Sequence, residues 1–405
     1  MKKLFTILLA LVMVLTLVGC SGGTTTDDTA TTDDTTTTEE TTVDENESYA
    51  DKALRTQNEI LASIEPDYSV TGQLIVYSPN SQGELDAIRP GFLAKYPKVD
   101  LQITSMGTGD VLTKIDTEKD NPTIDIMWGG MNFEKWYNHQ GLWENYISPN
   151  EANITVANAK TENQGEGKGF FTSYGLSGNT AFIINTEVLA ECGLEVSDIT
   201  GYQSLVDNMD KLKGKVLSGD PVKSSSAWQE LVAMLYHYGK GQDSKFDNLD
   251  MDAAWDYVKQ FIEVIDGAVQ SSSSAVYKLV VQGEYAIGVT YEDPALQQLK
   301  DEVENITMIY PAEANNWTPC AVSIVKGGPN TELAKKFVDF LISEEGQKLY
   351  ACTTLRTVTG EPNIVPGFKA FEDIPNIFDQ DQLVIAQHTD EWKAKWTELI
   401  DAYNG

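Results

Sequence analysis

Gln73-Leu-Ile-Val-Tyr77, the turn Ser78-Pro-Asn-Ser81 and the run 84–96 form the stretch from which the fold is read. The first segment has the length and apolar content of a buried strand, and 84–96 carries apolar residues at helical spacing. Ser81 and Glu84 stand at the S-x-x-E spacing of a capping box, which places the start of that helix. The unit then repeats. A strand at 99–104 leads through Ser105-Met-Gly-Thr-Gly109 into a helix at 110–117, and a third strand at 123–127 ends on Trp128-Gly-Gly130. Strand, small-residue loop and helix in repetition predict βα units on a mostly parallel sheet, an α/β fold. Loops that follow strand C-termini in such a sheet line one edge, where ligands bind. Ser78, Asn80, Ser81, Thr108, Trp128, Gly129 and Gly130 are therefore expected to face one crevice.

Farther along, the pattern changes. Segments 170–174 and 179–185 read as strands bracketing Gly175-Leu-Ser-Gly178, which places Ser177 in a loop. Helical runs follow at 203–212, 226–238 and 252–265, then a strand at 285–290 that runs into Tyr291-Glu-Asp-Pro294. Strands at 306–310 and 320–325 precede helices at 331–342 and 344–351, and a last helix near 389–403 is expected to pack on the first lobe.

The chain of 405 residues exceeds what one hydrophobic core usually takes, so two lobes are expected. Its opening gives an address. Lys2 and Lys3 precede an apolar run 4–18 too short for a comfortable span, the layout of a secretory signal. Residues 21–50 hold nine acidic side chains, no basic ones and many threonines, a composition that predicts a disordered, self-repelling spacer. Removing Lys2 and Lys3 from 29 basic residues leaves 27 against 61 acidic ones, a charge of −34. That balance argues against nucleic acid or an anionic membrane surface as partner, since both need clustered Lys and Arg.

Cys192, Cys320 and Cys352 show no Cys-x-x-Cys spacing, and the three histidines lie far apart, so neither a metal site nor a cofactor is expected. The odd count allows at most one bridge, Cys320–Cys352, with three buried thiols the favoured alternative. No G-x-S-x-G elbow, H-E-x-x-H or Walker loop is present, and the chain is read as a binding protein rather than an enzyme.

Several motifs in order resemble the extracellular solute-binding proteins of ABC importers, in the branch that holds ferric-iron, phosphonate and hexose-phosphate binders. They are Ile75-Val-Tyr-Ser-Pro79, Asp125-Ile-Met-Trp-Gly-Gly130, 214–226, Gly288-Val-Thr-Tyr-Glu-Asp-Pro294 and 335–346. The resemblance implies a two-lobed periplasmic-binding-protein-like fold of class II type, with two crossover strands. It implies lobe 1 at 70–175 plus 292–405, lobe 2 at 176–291, and crossings near 174–180 and 287–293. Leu17-Val-Gly-Cys20 is similar to a bacterial lipobox, which implies signal peptide 1–19, lipidation of Cys20, a linker 20–69 and attachment to the outer face of a Gram-positive membrane. A permease and a lipid bilayer are the implied partners of a protein read as a monomer.

The candidate binding residues follow from helix ends. A helix N-terminus offers unpaired N–H groups and about half a positive charge, enough to hold a phosphate or carboxylate. Asp220-Pro-Val-Lys-Ser-Ser-Ser226, opening the helix 226–238, is the best anion candidate through Asp220, Ser224, Ser225 and Ser226. Ser226 with Gln229 also has S-x-x-Q spacing, so capping competes for the same hydroxyls. Glu292 and Asp293 are expected across the cleft, facing hydroxyls or an ammonium at the far end of the ligand, with capping of the helix after Pro294 as the competing role. Tyr291 is expected to stack on a ring or shield the site from water. The ferric branch carries an adjacent tyrosine pair that this chain lacks, which shifts the expected solute to a phosphorylated sugar, organophosphate or phosphonate. A ferric or polyamine binder, and a sensing subunit for a membrane receptor kinase, are the alternatives.

Overall fold

The computed structural model describes residues 47–405 except 179, 241–247, 366–367, 371–372 and 379. The signal segment, Cys20 and the acidic spacer lie outside the described residues. The linker expected to run to residue 69 ends earlier. Ser48 caps a helix Tyr49–Ser63 by accepting from the Asp51 N–H, and Ala53, Ile60 and Leu61 turn toward the first lobe. That apolar spacing is helical and was hidden by the charged residues between.

Among the described residues, eleven strands form two sheets. In chain order they are β1 (Thr71–Ser78), β2 (Lys98–Ser105), β3 (Ile126–Met131), β4 (Thr172–Gly178), β5 (Ala181–Asn185), β6 (Val216–Gly219), β7 (Val269–Gln270), β8 (Ile287–Thr290), β9 (Ile306–Ile309), β10 (Trp317–Ile324) and β11 (Arg356–Thr357). The first sheet has the order β11-β4-β10-β3-β1-β2, and the second β7-β6-β8-β5-β9. β1 pairs in parallel with β2 and β3, as the repeated βα units require, while β10 runs antiparallel between β3 and β4.

The two sheets define two lobes with separate cores. In the first, Phe92 from the helix Gln82–Lys95 meets Phe337 and Phe340 edge-on, over Leu74 and Val76 of β1. In the second, Phe182, Tyr202, Leu231 and Phe261 are fully buried. Burying each such side chain contributes roughly 1.5–3 kcal/mol.

Two segments link the two sheets, and the chain passes over once more before the last helix. The first is the passage from β4 to β5, so Gly175–Gly178 is strand rather than loop. The second differs from expectation. β9 still belongs to the second sheet, through its antiparallel pairing with β5, so the chain returns at 310–316 and not at 287–293. Thr180 binds both crossings together: its hydroxyl donates to Asn315 Oδ1 at 2.8 Å and accepts from the Asn316 N–H at 3.4 Å. The last helix, Gln382–Asn404, also departs from expectation. Ile385, Trp392, Trp396 and Ile400 enter the second lobe's core rather than the first's. The expected division at residue 292 therefore misplaces the segments 292–309 and 382–404. Hydropathy marks a helix face as apolar but does not say which core receives it.

Candidate functional site

A cleft of about 140 Å³ lies between the lobes, where the loops after β1, β3 and β6 converge. The first lobe contributes Asn80, Ser81, Glu84, Thr108, Gly130 and Lys135; the second contributes Ser225, Ser226, Gln229, Ser273 and Tyr291. Ser177 on the first crossing, and Asp293, also line it.

The Trp128-Gly-Gly130 motif acts through its backbone. Gly129 and Gly130 have φ of 96° and 69°, in the left-handed region that favours glycine. A Cβ on Gly129 would overlap the Asn80 carboxamide, and one on Gly130 would lie 2.5 Å from Thr108 Oγ1. The glycines thus let Asn80 and Thr108 approach the strand. Tyr174 donates to Asn80 Oδ1 at 3.0 Å, while Asn80 Nδ2 is buried without a partner.

The helix Ser225–Gly239 meets the cleft with its N-terminus. Ser224 is the N-cap, accepting from the Ala227 N–H at 3.4 Å, and its hydroxyl lies 3.1 Å from that of Ser226. Capping therefore occupies Ser224, whereas Ser225 and Ser226 line the cleft. Lys135 approaches from the first lobe, its Nζ held 2.8 and 2.9 Å from the Glu134 carboxylate. Glu134 also accepts from Trp228 Nε1 at 3.1 Å and from the Thr389 hydroxyl at 3.3 Å, joining first lobe, second lobe and last helix. Burial opposes its ionisation, but the Lys135 charge and hydrogen bond, the Lys393 charge and the Trp228 donor hold Glu134 below the usual carboxylate range.

Two further carboxyls face the cleft. Burial, reinforced by the Asp293 charge, raises Glu84 well above its ordinary range, and Glu84 Oε2 has no partner. Burial likewise raises Asp293 to about 6, against the bond it accepts from Thr354 and with the nearby Glu292 charge. Both are poised to exchange hydrogen bonds with hydroxyls without presenting two fixed negative charges.

Of the expected residues, Asn80, Ser81, Thr108, Gly130, Ser177, Ser225, Ser226 and Tyr291 come together around the cleft. Ser81 also caps its helix, accepting from the Glu84 N–H at 3.5 Å. The others serve nearby structure. Ser78 is buried and donates to the Trp128 carbonyl at 2.7 Å. Trp128 is core, its Nε1 donating to the Tyr350 hydroxyl at 3.1 Å, and Gly129 acts through its φ. Asp220 holds its own loop, accepting from the Val222 N–H and pairing with Lys223 at 3.7 Å.

Glu292 is the plainest correction. Arg356 grips it through Nε at 2.9 Å and Nη2 at 3.0 Å, and Gly178 N–H and the Tyr310 hydroxyl donate to it as well. It ties the second lobe to the first crossing, and its neighbour Asp293 faces the cleft instead. Lys135, Glu84, Gln229 and Ser273 were missed. Glu84 and Gln229 enter the sequence reading only through capping-box spacing, and no sequence signal singles out the other two. Cys192, Cys320 and Cys352 are free thiols, so the conceivable bridge does not form.

The sequence matches the model of the bacterial extracellular solute-binding protein family over residues 90–376. An uncharacterized protein of Haemophilus influenzae is 29% identical over 286 residues, 69% of this chain and 75% of that one. Iron uptake protein A1 of Synechocystis is 30% identical over 167 residues, 38% of this chain and 42% of its own. Among solved structures, the periplasmic binding protein AfuA from Actinobacillus pleuropneumoniae, with fructose-6-phosphate bound, is similar at a TM-score of 0.70. It is 24% identical and covers 82% of this chain and 99% of its own. The periplasmic binding protein P5PA is similar at 0.68, with 23% identity and 81% and 99% coverage. The likeness to these two structures is one of fold.

Proposed function

The chain belongs to the bacterial extracellular solute-binding proteins, the extracytoplasmic components that bring small solutes to the permease subunits of ABC importers, and from that premise we propose that its solute is a small phosphorylated compound. The phosphate sits at the N-terminus of the helix Ser225–Gly239, on the Ser225 and Ser226 hydroxyls and the adjacent N–H groups, with the Lys135 ammonium opposite. The hydroxylated remainder lies against Asn80, Thr108, Glu84 and Asp293. The observation that carries this reading is the pairing, in one cleft, of a helix N-terminus and a lysine with two buried carboxyls of raised pKa. The likeness in fold to AfuA, which carries fructose-6-phosphate, supports the same ligand class.

Function then follows from closure. A solute that touches Lys135 on one lobe and Ser225 on the other makes both sets of contacts only when the lobes are together, so binding favours the closed state. Cys20 carries the lipid in this proposal, and the acidic spacer holds a monomeric body off the outer face of a Gram-positive membrane. Ligand sensing for a receptor kinase is the competing use of the same closure, and ferric iron or a polyamine the competing ligand.

Thermal unfolding of the purified protein against sugar phosphates, phosphonates, carboxylates, polyamines and ferric complexes tests the ligand class. A ligand at a hundred times its Kd stabilises by about 2.7 kcal/mol. We expect this with phosphorylated compounds and its loss in the Ser225→Ala/Ser226→Ala double variant. Stabilisation by ferric or polyamine ligands alone would sink the reading.

A further inference from the structure

A second chamber of about 500 Å³ opens beside the cleft and shares Asn132, Thr318 and Pro319 with it. The first lobe and the segment leading into the last helix enclose it. Its lining differs from that of the cleft, which carries Glu84, Lys135 and Asp293. Of thirteen lining residues none is Asp, Glu, Lys, Arg or His, where the overall charged fraction of 22% would give about three. Five are carboxamides and four are aromatic, Trp317 among them.

Gln164 says what is wanted there. It is 7% exposed, and neither its Nε2 nor its Oε1 has a partner. A buried carboxamide with two donors and two acceptor lone pairs is costly to leave unpaired, and its need points to a ligand that both donates and accepts. A charged group would find no counter-ion in this chamber, and a hydrocarbon would leave the Gln164 amide unpaired. Neighbouring hydroxyls of a sugar ring present a donor and an acceptor side by side, and the ring's C–H face fits aromatic walls. The chamber also communicates with the cleft chemically, since Gln380 Nε2 donates to Oε1 of the cleft residue Gln229 at 3.0 Å.

We infer that this chamber holds an uncharged, polyhydroxylated second ring of the solute, so that the natural ligand is a phosphorylated glycoside larger than one sugar. This rests on the capture of a phosphate-bearing ring in the cleft. Asn132, which lines both spaces, caps the helix Phe133–Asn138 through Oδ1, which fixes its position.

Calorimetric titration of the purified protein with glucose 6-phosphate, trehalose 6-phosphate, maltose 6′-phosphate and the two unphosphorylated disaccharides tests it. At least one disaccharide phosphate should bind tenfold or more tighter than glucose 6-phosphate. Gln164→Met, which keeps the shape and removes the amide, should cut that advantage to about twofold and leave glucose 6-phosphate affinity unchanged. Gln382→Ala, on the half-buried first turn of the last helix, should narrow it in the same direction and stands in if the core variant fails to fold. Equal affinity for one-ring and two-ring phosphates, or an advantage that survives both variants, overturns the inference. Failure of every saccharide overturns it too. Gln164-dependent binding of an unphosphorylated disaccharide, with glucose 6-phosphate inert, supports the chamber and sinks the phosphate reading of the cleft alone.

Discussion

Replacing Asp293 with asparagine gives the sharpest test of the cleft's electrostatics. Asp293 is 4% exposed, accepts from Thr354, and is pushed up from 3.8 to about 6, chiefly by burial. The folded carboxyl therefore keeps a proton that the unfolded chain releases between those two values. Its contribution to stability is fully present below pH 3.8 and lost as pH rises through 6. Integrating that difference from pH 4.5 to 7.5 gives a loss of about 2 kcal/mol in the native protein. Asp293→Asn keeps the shape, still accepts from Thr354 and does not titrate, so the loss disappears. Glu84 works in the same direction, because the Asp293 charge helps to raise it. The stability of the variant minus that of the native protein should thus rise by about 2 kcal/mol across this range. Urea denaturation without solute, at pH values from 4.5 to 7.5, measures it. A difference that stays constant with pH would refute the assignment of a raised Asp293, whatever its absolute size.

Three other substitutions probe the frame around the cleft. Trp228→Phe removes the 3.1 Å bond to Glu134 across the lobes, so stability should fall by about 2–3 kcal/mol and small-angle scattering should show a larger radius without solute. Arg356→Ala strands the buried Glu292 carboxylate and should cost about 3–5 kcal/mol by denaturant midpoint. Weaker solute binding with unchanged stability would instead restore Glu292 to the binding site. Gly130→Ala forces a Cβ onto a residue with φ of 69° and toward Thr108 Oγ1, at about 1–2 kcal/mol. Solute affinity measured by titration should drop more than tenfold as Thr108 is displaced.

The parts of the site legible in the sequence were those set by local rules. Ser81 and the Ser224–Ser226 cluster announce helix starts, and both helix starts lie at the cleft. Trp128-Gly-Gly130 was expected to face the crevice, but the tryptophan is core and the glycines act through the space they leave for Asn80 and Thr108. Glu292 and Asp293 show the limit. Adjacent carboxylates at a helix start look equivalent in sequence, yet Arg356, sixty-four residues on, takes the first and leaves the second to the cleft. Lys135 and Gln164 could not be singled out, because neither belongs to a motif.

By itself the sequence determined the α/β class, the beginnings of the capped helices at Ser81 and Ser224–Ser226, and the acidic balance. Each follows from periodicity, capping or composition, interactions that span a few residues or none. Only the tertiary structure decided where the chain returns between lobes, which core receives the last helix, and which polar groups stay unpaired beside the cleft. Those outcomes depend on pairings between residues tens to hundreds of positions apart, such as β5 with β9 and Trp228 with Glu134. Side-chain chemistry permits many such partners, and the packed fold selects one.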